Sequence, residues 1–333
     1  MGAGAGFDGV IVVSFGGPEG PDDVMPFLEN VVRGRNVPPE RLEQVAAQYH
    51  LFGGVSPIND HNRALVTALQ AALAEKGRDL PVYWGNRNWH PYLSDTVAQM
   101  SDDGIASAAA FVTSAYSSYS SCRQYIEDIE AARALVGPRA PRIVKLQPYF
   151  DRSGFVDPFV DGLRVARVEA GPTAPVVMTA HSLPISMAAT CDYESQLREV
   201  ARTVAVDAGE PEDGWTLAFQ SRSGPPSEPW LGPDLNDVIS GLPEDSGAVI
   251  VVPIGFVADH MEVVHDVDQV AGAIGRARGI RMIRVPTPGR NPMFAAMAAD
   301  LVLETEHKIM QGLPAGPWCG PGCCPPPPAK GGR

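Results

Sequence analysis

The chain has no surplus of basic residues. Lys and Arg together number 26 against 39 Asp and Glu over 333 residues, a formal net charge of −13. That argues against a nucleic-acid partner, because phosphate recognition needs clustered cations, although local arginines can still hold a small anion. No basic segment leads into the apolar stretch of about 7–15 residues that makes a signal peptide. No run approaches the ~20 apolar residues of a membrane span. The expectation is a cytoplasmic protein without a span. Cysteine is scarce at five residues, and in a reducing compartment these are not a disulfide framework. Yet Cys319, Cys323 and Cys324 crowd into six positions near the end of the chain.

What is present describes an ordinary globular protein. Apolar residues make up 44% and charged residues 20%, enough to bury a core. The length suits about two domains. Short apolar runs alternate with helical stretches, the pattern of βαβ units around a parallel sheet. One set of strands is expected at Val10–Phe15, Pro81–Gly85, Ala108–Tyr116 and Arg142–Gln147. A second set follows at Pro175–Ser182, Trp215–Ser221, Ala248–Gly255 and Ile280–Val285. Helical spacing recurs over Asn62–Glu75, Cys122–Leu135, Tyr193–Ala208 and Phe294–Gln311.

The reading is an α/β protein of two similar doubly wound, Rossmann-like halves with parallel sheets, followed by an irregular tail. The first half spans 7–150 and the second 151–287, with the junction near Pro148–Asp157. Residues 288–312 form a helix expected to pack back on the first half, and 313–333 are rich in Pro, Gly and Cys.

Ligands of open α/β sheets bind beyond the carboxyl ends of the strands, so strand ends carry the functional reading. The first strand runs into SFGGPEGP, which is a poor phosphate loop. Pro18 and Pro21 supply no N–H donors and Glu19 would repel phosphate; a tight turn before a helix near Pro21–Asp23 fits better. The fifth strand ends in TAHSLP. Its His181, with a reference pKa near ~6.5, suits a group that exchanges protons near neutrality. After the seventh strand comes PIGFVADHMEVVHDVD. A helix starting near Ala258 would set Asp259, Glu262 and Asp266 on one face, beside an apolar stripe of Val263, Val267 and Val270. No Lys or Arg lies between Arg222 and Arg276 to offset these carboxylates. A line of acids beside a histidine is what a divalent-metal path with a proton relay requires.

TAHSLP, QSRSGPPSEPWLGPD (Gln220–Asp234) and PIGFVADHMEVVHD together resemble ferrochelatase, with RGR (Arg33–Arg35) and FGGVSP (Phe52–Pro57) adding to the match. The resemblance runs from about Asp8 to Gln311 and is similar in character to the actinobacterial type, which implies coproporphyrin III as the porphyrin and a chelatase-like fold. It implies insertion of Fe²⁺, with His181 and Glu262 as the catalytic, metal- and proton-handling pair facing each other across the cleft. Asp266 then lies further out on the metal path. Arg33 and Ser56 match positions that hold propionates, while Trp230 and Tyr125 line or support the pocket. Phe15 stands where some relatives carry an iron-coordinating tyrosine, Val270 where some carry a further acid, and Gln48 where some carry an arginine. A downstream haem-pathway enzyme would receive the product.

The tail cysteines match the family's [2Fe–2S] motif. Cys319, Cys323 and Cys324 would supply three thiolates, and such a cluster needs four. The fourth comes from Cys122, which lies close to the family's internal ligand, with Cys191 as the alternative. Three other readings compete: a protoporphyrin IX ferrochelatase or a cobalt- or nickel-inserting relative, a noncatalytic tetrapyrrole or iron–sulfur sensor, and a two-domain nucleotide-sugar enzyme. The last finds no phosphate loop, and a sensor needs no proton acceptor such as His181.

Overall fold

The computed structural model describes residues 6–34, 37–224, 227–314 and 322–326. Two four-stranded, all-parallel sheets organise the chain. In chain order their strands are β1 (Gly9–Ser14), β2 (Val82–Asn86), β3 (Ser107–Val112), β4 (Arg142–Lys145), β5 (Val176–His181), β6 (Trp215–Gln220), β7 (Ala248–Val252) and β8 (Arg281–Arg284). The first sheet is ordered β2-β1-β3-β4 and the second β6-β5-β7-β8. Each half therefore repeats one winding, with the direction of progression reversing at β1/β3 and again at β5/β7.

Continuous apolar sequence is what makes the inner strands. GVIVVS of β1 and AVIVV of β7 are buried along their whole length, as strands covered by helices on both faces must be. The edge strands β4 and β8 are only partly covered. Several strands stop short of the apolar run that announces them. β3 ends at Val112, because the chain turns out of the sheet there and Tyr116 is drawn elsewhere, its hydroxyl donating to the Ile254 carbonyl at 2.8 Å.

The chain divides into two compact units. The first comprises the described residues of Met1–Thr113, Tyr125–Gln147 and Ala295–Trp318. Its core joins Ile11 and Val13 of β1 to Val97, Met100, Ile129 and Ala132 from two helices, each large side chain stabilising by about 1.5–3 kcal/mol on burial. The last helix, Pro292–Met310, enters this unit through buried Glu306, which accepts from the Phe7 N–H at 2.8 Å and pairs with Arg78. Lys76 and Asp300 add an ion pair of 2.6 Å. The second unit comprises the described residues of Ser114–Gln124, Pro148–Phe294 and Cys319–Arg333. There Val177, Ala218, Val249 and Val251 pack under Leu235, Ile239, Val267 and Ala271.

Among the described residues, no helix is long and apolar enough to cross a membrane.

Candidate active site

The second unit places its chemistry at the β5/β7 reversal, where adjacent connections leave in opposite directions and open a crevice at the carboxyl ends. β5 delivers His181 as its last residue. β7 ends at Val252, and the following loop turns at Pro253–Gly255 before a short helix begins at Met261. Gly255 makes this turn possible. A Cβ there would lie 2.5 Å from the Ala180 Cβ and 2.6 Å from its Cα, so only glycine lets the loop rest against the residue preceding His181. Gly255→Ala should therefore cost about 1–3 kcal/mol of stability through overpacking, read as a lowered urea midpoint. Its residual activity should fall as well, because the His181 strand and the Glu262 loop are forced apart.

His181 and Glu262 are in direct contact. His181 Nε2 lies 3.3 Å from Glu262 Oε1, so the two form an ion pair. The other ring nitrogen, Nδ1, donates to the Ser182 carbonyl at 2.5 Å. Tyr193 fixes the strand end from behind, its hydroxyl donating to the His181 carbonyl at 3.0 Å. Burial works against charge on the ring, but the Glu262 carboxylate and the Ser182 carbonyl outweigh it and push the His181 pKa up to about 9. Burial likewise works against charge on Glu262, and His181 outweighs it to bring the carboxyl down to about 2. The pair rests as imidazolium and carboxylate.

His260, which the sequence reading passed over, completes the arrangement. Its Nδ1 accepts from the Glu262 N–H at 3.1 Å, capping the short helix, and its Nε2 lies 3.7 Å from Glu262 Oε2. Burial lowers its pKa against the opposing pull of the Glu262 carboxylate, and the neighbouring charge of His181 adds to the lowering. Two histidines thus flank one carboxylate, one held charged and the other neutral. The signal was in the sequence as His-x-Glu at a helix start.

The stripe of three carboxylates does not form as the sequence suggested. The helix starts at Met261, not near Ala258, and from Val264 to Ala271 it widens into a π-helix, a rare form concentrated at functional sites. Asp259 precedes the helix and pairs instead with Arg284 from β8, at 2.9 Å. Asp268 meets the same guanidinium at 2.7 Å. Asp266 is held separately: Ser221 Oγ donates to its Oδ2 at 2.5 Å and His265 Nδ1 lies 2.8 Å from its Oδ1. Ser221 adopts φ 63° to make that contact, in the left-handed region that side chains avoid. One residue earlier, Gln220 Nε2 donates to the Glu262 carbonyl at 2.6 Å. β6 therefore grips both acidic positions from its carboxyl end.

The remaining sequence candidates divide between the units. Trp230 belongs to the second, bridging antiparallel to Pro184, with its indole N–H buried and without a partner among the described residues. Phe15, Arg33, Ser56 and Tyr125 belong to the first. Phe15 follows β1, 38% exposed, edge-on to Phe27 at 6.2 Å. Arg87 sits 6.0 Å over the Phe15 ring and 4.6 Å over the buried Tyr125 ring, and is paired with Asp128. Tyr125 thus supports Arg87 from beneath rather than presenting a free face. Ser56 is buried, its N–H donating to the Pro18 carbonyl at 2.8 Å. Arg33 is exposed and donates to Asn30.

Of the cysteines, Cys319 lies outside the described residues. The Cys323 and Cys324 sulfurs are 3.6 Å apart. Burial pushes the Cys324 thiol well up, and Cys323, Cys122 and Cys191 act in the same direction. Among the described residues no group of three or more His, Cys, Asp or Glu is gathered as a metal site.

The ferrochelatase family model matches residues 7–306. The chain is 48% identical to a ferrochelatase of Rhodopirellula baltica, over 98% of this chain and 97% of that one. It is 51% identical to the coproporphyrin III ferrochelatase of Mycolicibacterium smegmatis, over 92% and 91%. Among solved structures, the fold is shared with Bacillus subtilis SirB with Fe³⁺, at TM-score 0.55 and 12% identity over 92% of this chain and 99% of that one. It is shared also with CbiX, at TM-score 0.51 and 15% identity over 89% and 98%. The chain belongs to the ferrochelatase family.

Proposed function

We propose that the chain inserts Fe²⁺ into coproporphyrin III, releasing two pyrrole protons to give iron coproporphyrin. The observation that carries this reading is the His181–Glu262 ion pair at the β5/β7 reversal, with Asp266 held one π-turn beyond. The porphyrin comes from the relatives, several of which, at about half identity across nearly their whole length, are named for coproporphyrin III.

The chemistry follows from the charge state of the pair. Two N–H protons must leave the macrocycle before all four of its nitrogens can donate to the metal. An imidazolium cannot receive a proton or bind iron. Fe²⁺ approaching Glu262 along Asp266 is attracted by the carboxylates and repels the His181 proton, which departs through Glu262 to solvent. The freed Nε2 then takes the two pyrrole protons in turn, passing the first to solvent before it accepts the second. A mixed nitrogen and oxygen donor set suits Fe²⁺ and also accepts other divalent first-row metals, so selectivity rests on supply. Arg33 and Ser56 serve the propionates. Phe15, braced by Arg87 over Tyr125, and Trp230 serve the ring. The reaction takes place in the cytoplasm, and the product passes to a downstream haem-pathway enzyme.

The deciding assay is anaerobic insertion of Fe²⁺ with coproporphyrin III and protoporphyrin IX side by side. Faster turnover of coproporphyrin III supports the reading. Turnover of protoporphyrin IX alone replaces the substrate, and no turnover of either overturns the function. Co²⁺ and Ni²⁺ with sirohydrochlorin separate the cobalt- or nickel-inserting rival.

The chemistry of the tail fits a [2Fe–2S] cluster on Cys319, Cys323, Cys324 and Cys122, with Cys191 the alternative fourth ligand. Two adjacent thiols with sulfurs 3.6 Å apart support it. Such a cluster would supply one-electron redox capacity, and no proton or metal transfer passes through it. Anaerobically purified protein should show visible charge-transfer absorption that Cys324→Ser removes. Loss with Cys122→Ser but not Cys191→Ser identifies the fourth ligand, and a colourless wild-type protein with no bound iron or sulfide disposes of the cluster.

A further inference from the structure

Arg284 is not among the residues that the sequence or the proposed reaction singles out, yet it is tied to both ends of the segment that carries them. It closes β8, paired to β7 with Val251 opposite. From there its guanidinium reaches two carboxylates. Nη1 and Nη2 donate to Asp259 Oδ1 and Oδ2 at 2.9 and 3.4 Å, and Nε donates to Asp268 Oδ1 at 2.7 Å. Asp259 stands three residues before Glu262, and Asp268 two residues after Asp266. Everything between them that touches the proposed chemistry, namely His260, Glu262 and Asp266, is bracketed by one cation.

The bracket answers a local weakness. A π-helix is uncommon and is met mostly as a single turn, so the eight residues Val264–Ala271 need support from outside the segment. On the inner face that comes from Met261, Val263, Val267 and Ala271, all buried. On the other side the segment presents acids, which repel each other, and the cation that gathers Asp259 and Asp268 comes from a different strand. The arrangement also depends on shape: a planar guanidinium can use two edges on two carboxylates, whereas an ammonium is a single point of charge.

We infer that Arg284 is a positioning residue for metal insertion, holding the 259–268 segment so that Glu262 meets His181 and Asp266 stays on the metal path. The inference rests on the proposed ferrochelatase reading. The Arg284 guanidinium is engaged by Asp259 and Asp268, so its loss should alter turnover and the use of iron while leaving porphyrin capture alone.

The experiment compares wild type, Arg284→Gln, Arg284→Lys and Asp268→Asn, each checked for folded content by circular dichroism and urea denaturation. Coproporphyrin affinity is measured by fluorescence quenching, and kcat and the KM for Fe²⁺ by anaerobic insertion. The expected result for folded Arg284→Gln is a fall of at least about tenfold in kcat/KM for Fe²⁺, with coproporphyrin affinity within about threefold of wild type. Arg284→Lys should recover part of the loss, and Asp268→Asn should show a smaller loss of the same kind. Folded Arg284→Gln with wild-type kinetics overturns the inference. So does a loss that appears equally in porphyrin affinity, or that follows only the fraction of folded protein. Should Arg284→Gln fail to fold, Asp268→Asn and Arg284→Lys decide: wild-type kinetics in both overturns the inference. An inactive wild type would instead sink the ferrochelatase reading itself, so the two failures are distinguishable.

Discussion

His181→Ala should abolish insertion, with kcat for Fe²⁺ and coproporphyrin III falling by about 10²–10⁴-fold, the range for losing a positioned proton-transfer group. Porphyrin affinity should change little. The imidazole is 30% exposed and holds its place through Ser182 and Glu262, so its removal leaves no apolar void. It does strip Glu262 of its main counter-charge. With burial then less opposed, the Glu262 carboxyl should climb from about 2 toward its ordinary range. The variant thus loses the nitrogen ligand, while a carboxyl in its ordinary range stays ionised at neutral pH. Steady-state kinetics with a fluorescence check of porphyrin binding measures both consequences, and turnover within tenfold of wild type would remove His181 from the mechanism.

The second large effect is expected from Glu262→Gln. The amide keeps the shape but ends the ion pair, and insertion should fall by about 10²-fold or more. The same change should bring the His181 pKa down from about 9 toward or below its reference value near ~6.5, because burial then opposes charge with less resistance. Nuclear magnetic resonance titration of the ring reads this directly, and a ring still titrating near 9 in the variant would refute the assigned cause.

In the wild-type protein the pair also shapes stability against pH. The raised His181 pKa contributes stability that is whole below about 6.5 and is lost as pH rises through about 9. The lowered Glu262 pKa contributes stability that is whole above about 4.3 and is lost as pH falls through about 2. Both describe one interaction, at full strength between roughly pH 4.3 and 6.5. Denaturation midpoints that differ between wild type and Glu262→Gln most strongly in that window, and converge toward pH 10, are the expected pattern.

The sequence made the two sheets legible because their inner strands are apolar on both faces, as β1 and β7 show. The helix over Tyr193–Ala208 was equally plain, carrying Asp192 before it and Gly209 after it. That His181 and Glu262 belong together was suggested by position and motif, and the two side chains lie 3.3 Å apart. What stayed hidden was pairing across long separations. Asp259 looked like a third member of an uncompensated stripe because its cation lies 25 residues away on another strand. The charge on His181 was hidden for the same reason: it depends on a carboxylate that only the meeting of β5 with the loop after β7 supplies. The π-helix left no periodic mark either, since the residues Val264–Ala271 are compatible with an ordinary helix.

That widened segment bears on length as well as on charge. A turn bonded five residues back carries more chain per turn than an α-helix does. Deleting one residue between Glu262 and Val267, with the wide turns kept, would swing everything downstream by about 80–100° around the axis. Asp266 and Asp268 would then leave Ser221 and Arg284, while Val267 would leave the core. Exposed positions such as Gln269 can vary in kind, but the number of residues between Glu262 and Asp268 cannot. Along this stretch the chain is under a constraint of count, which substitution scanning alone would never reveal.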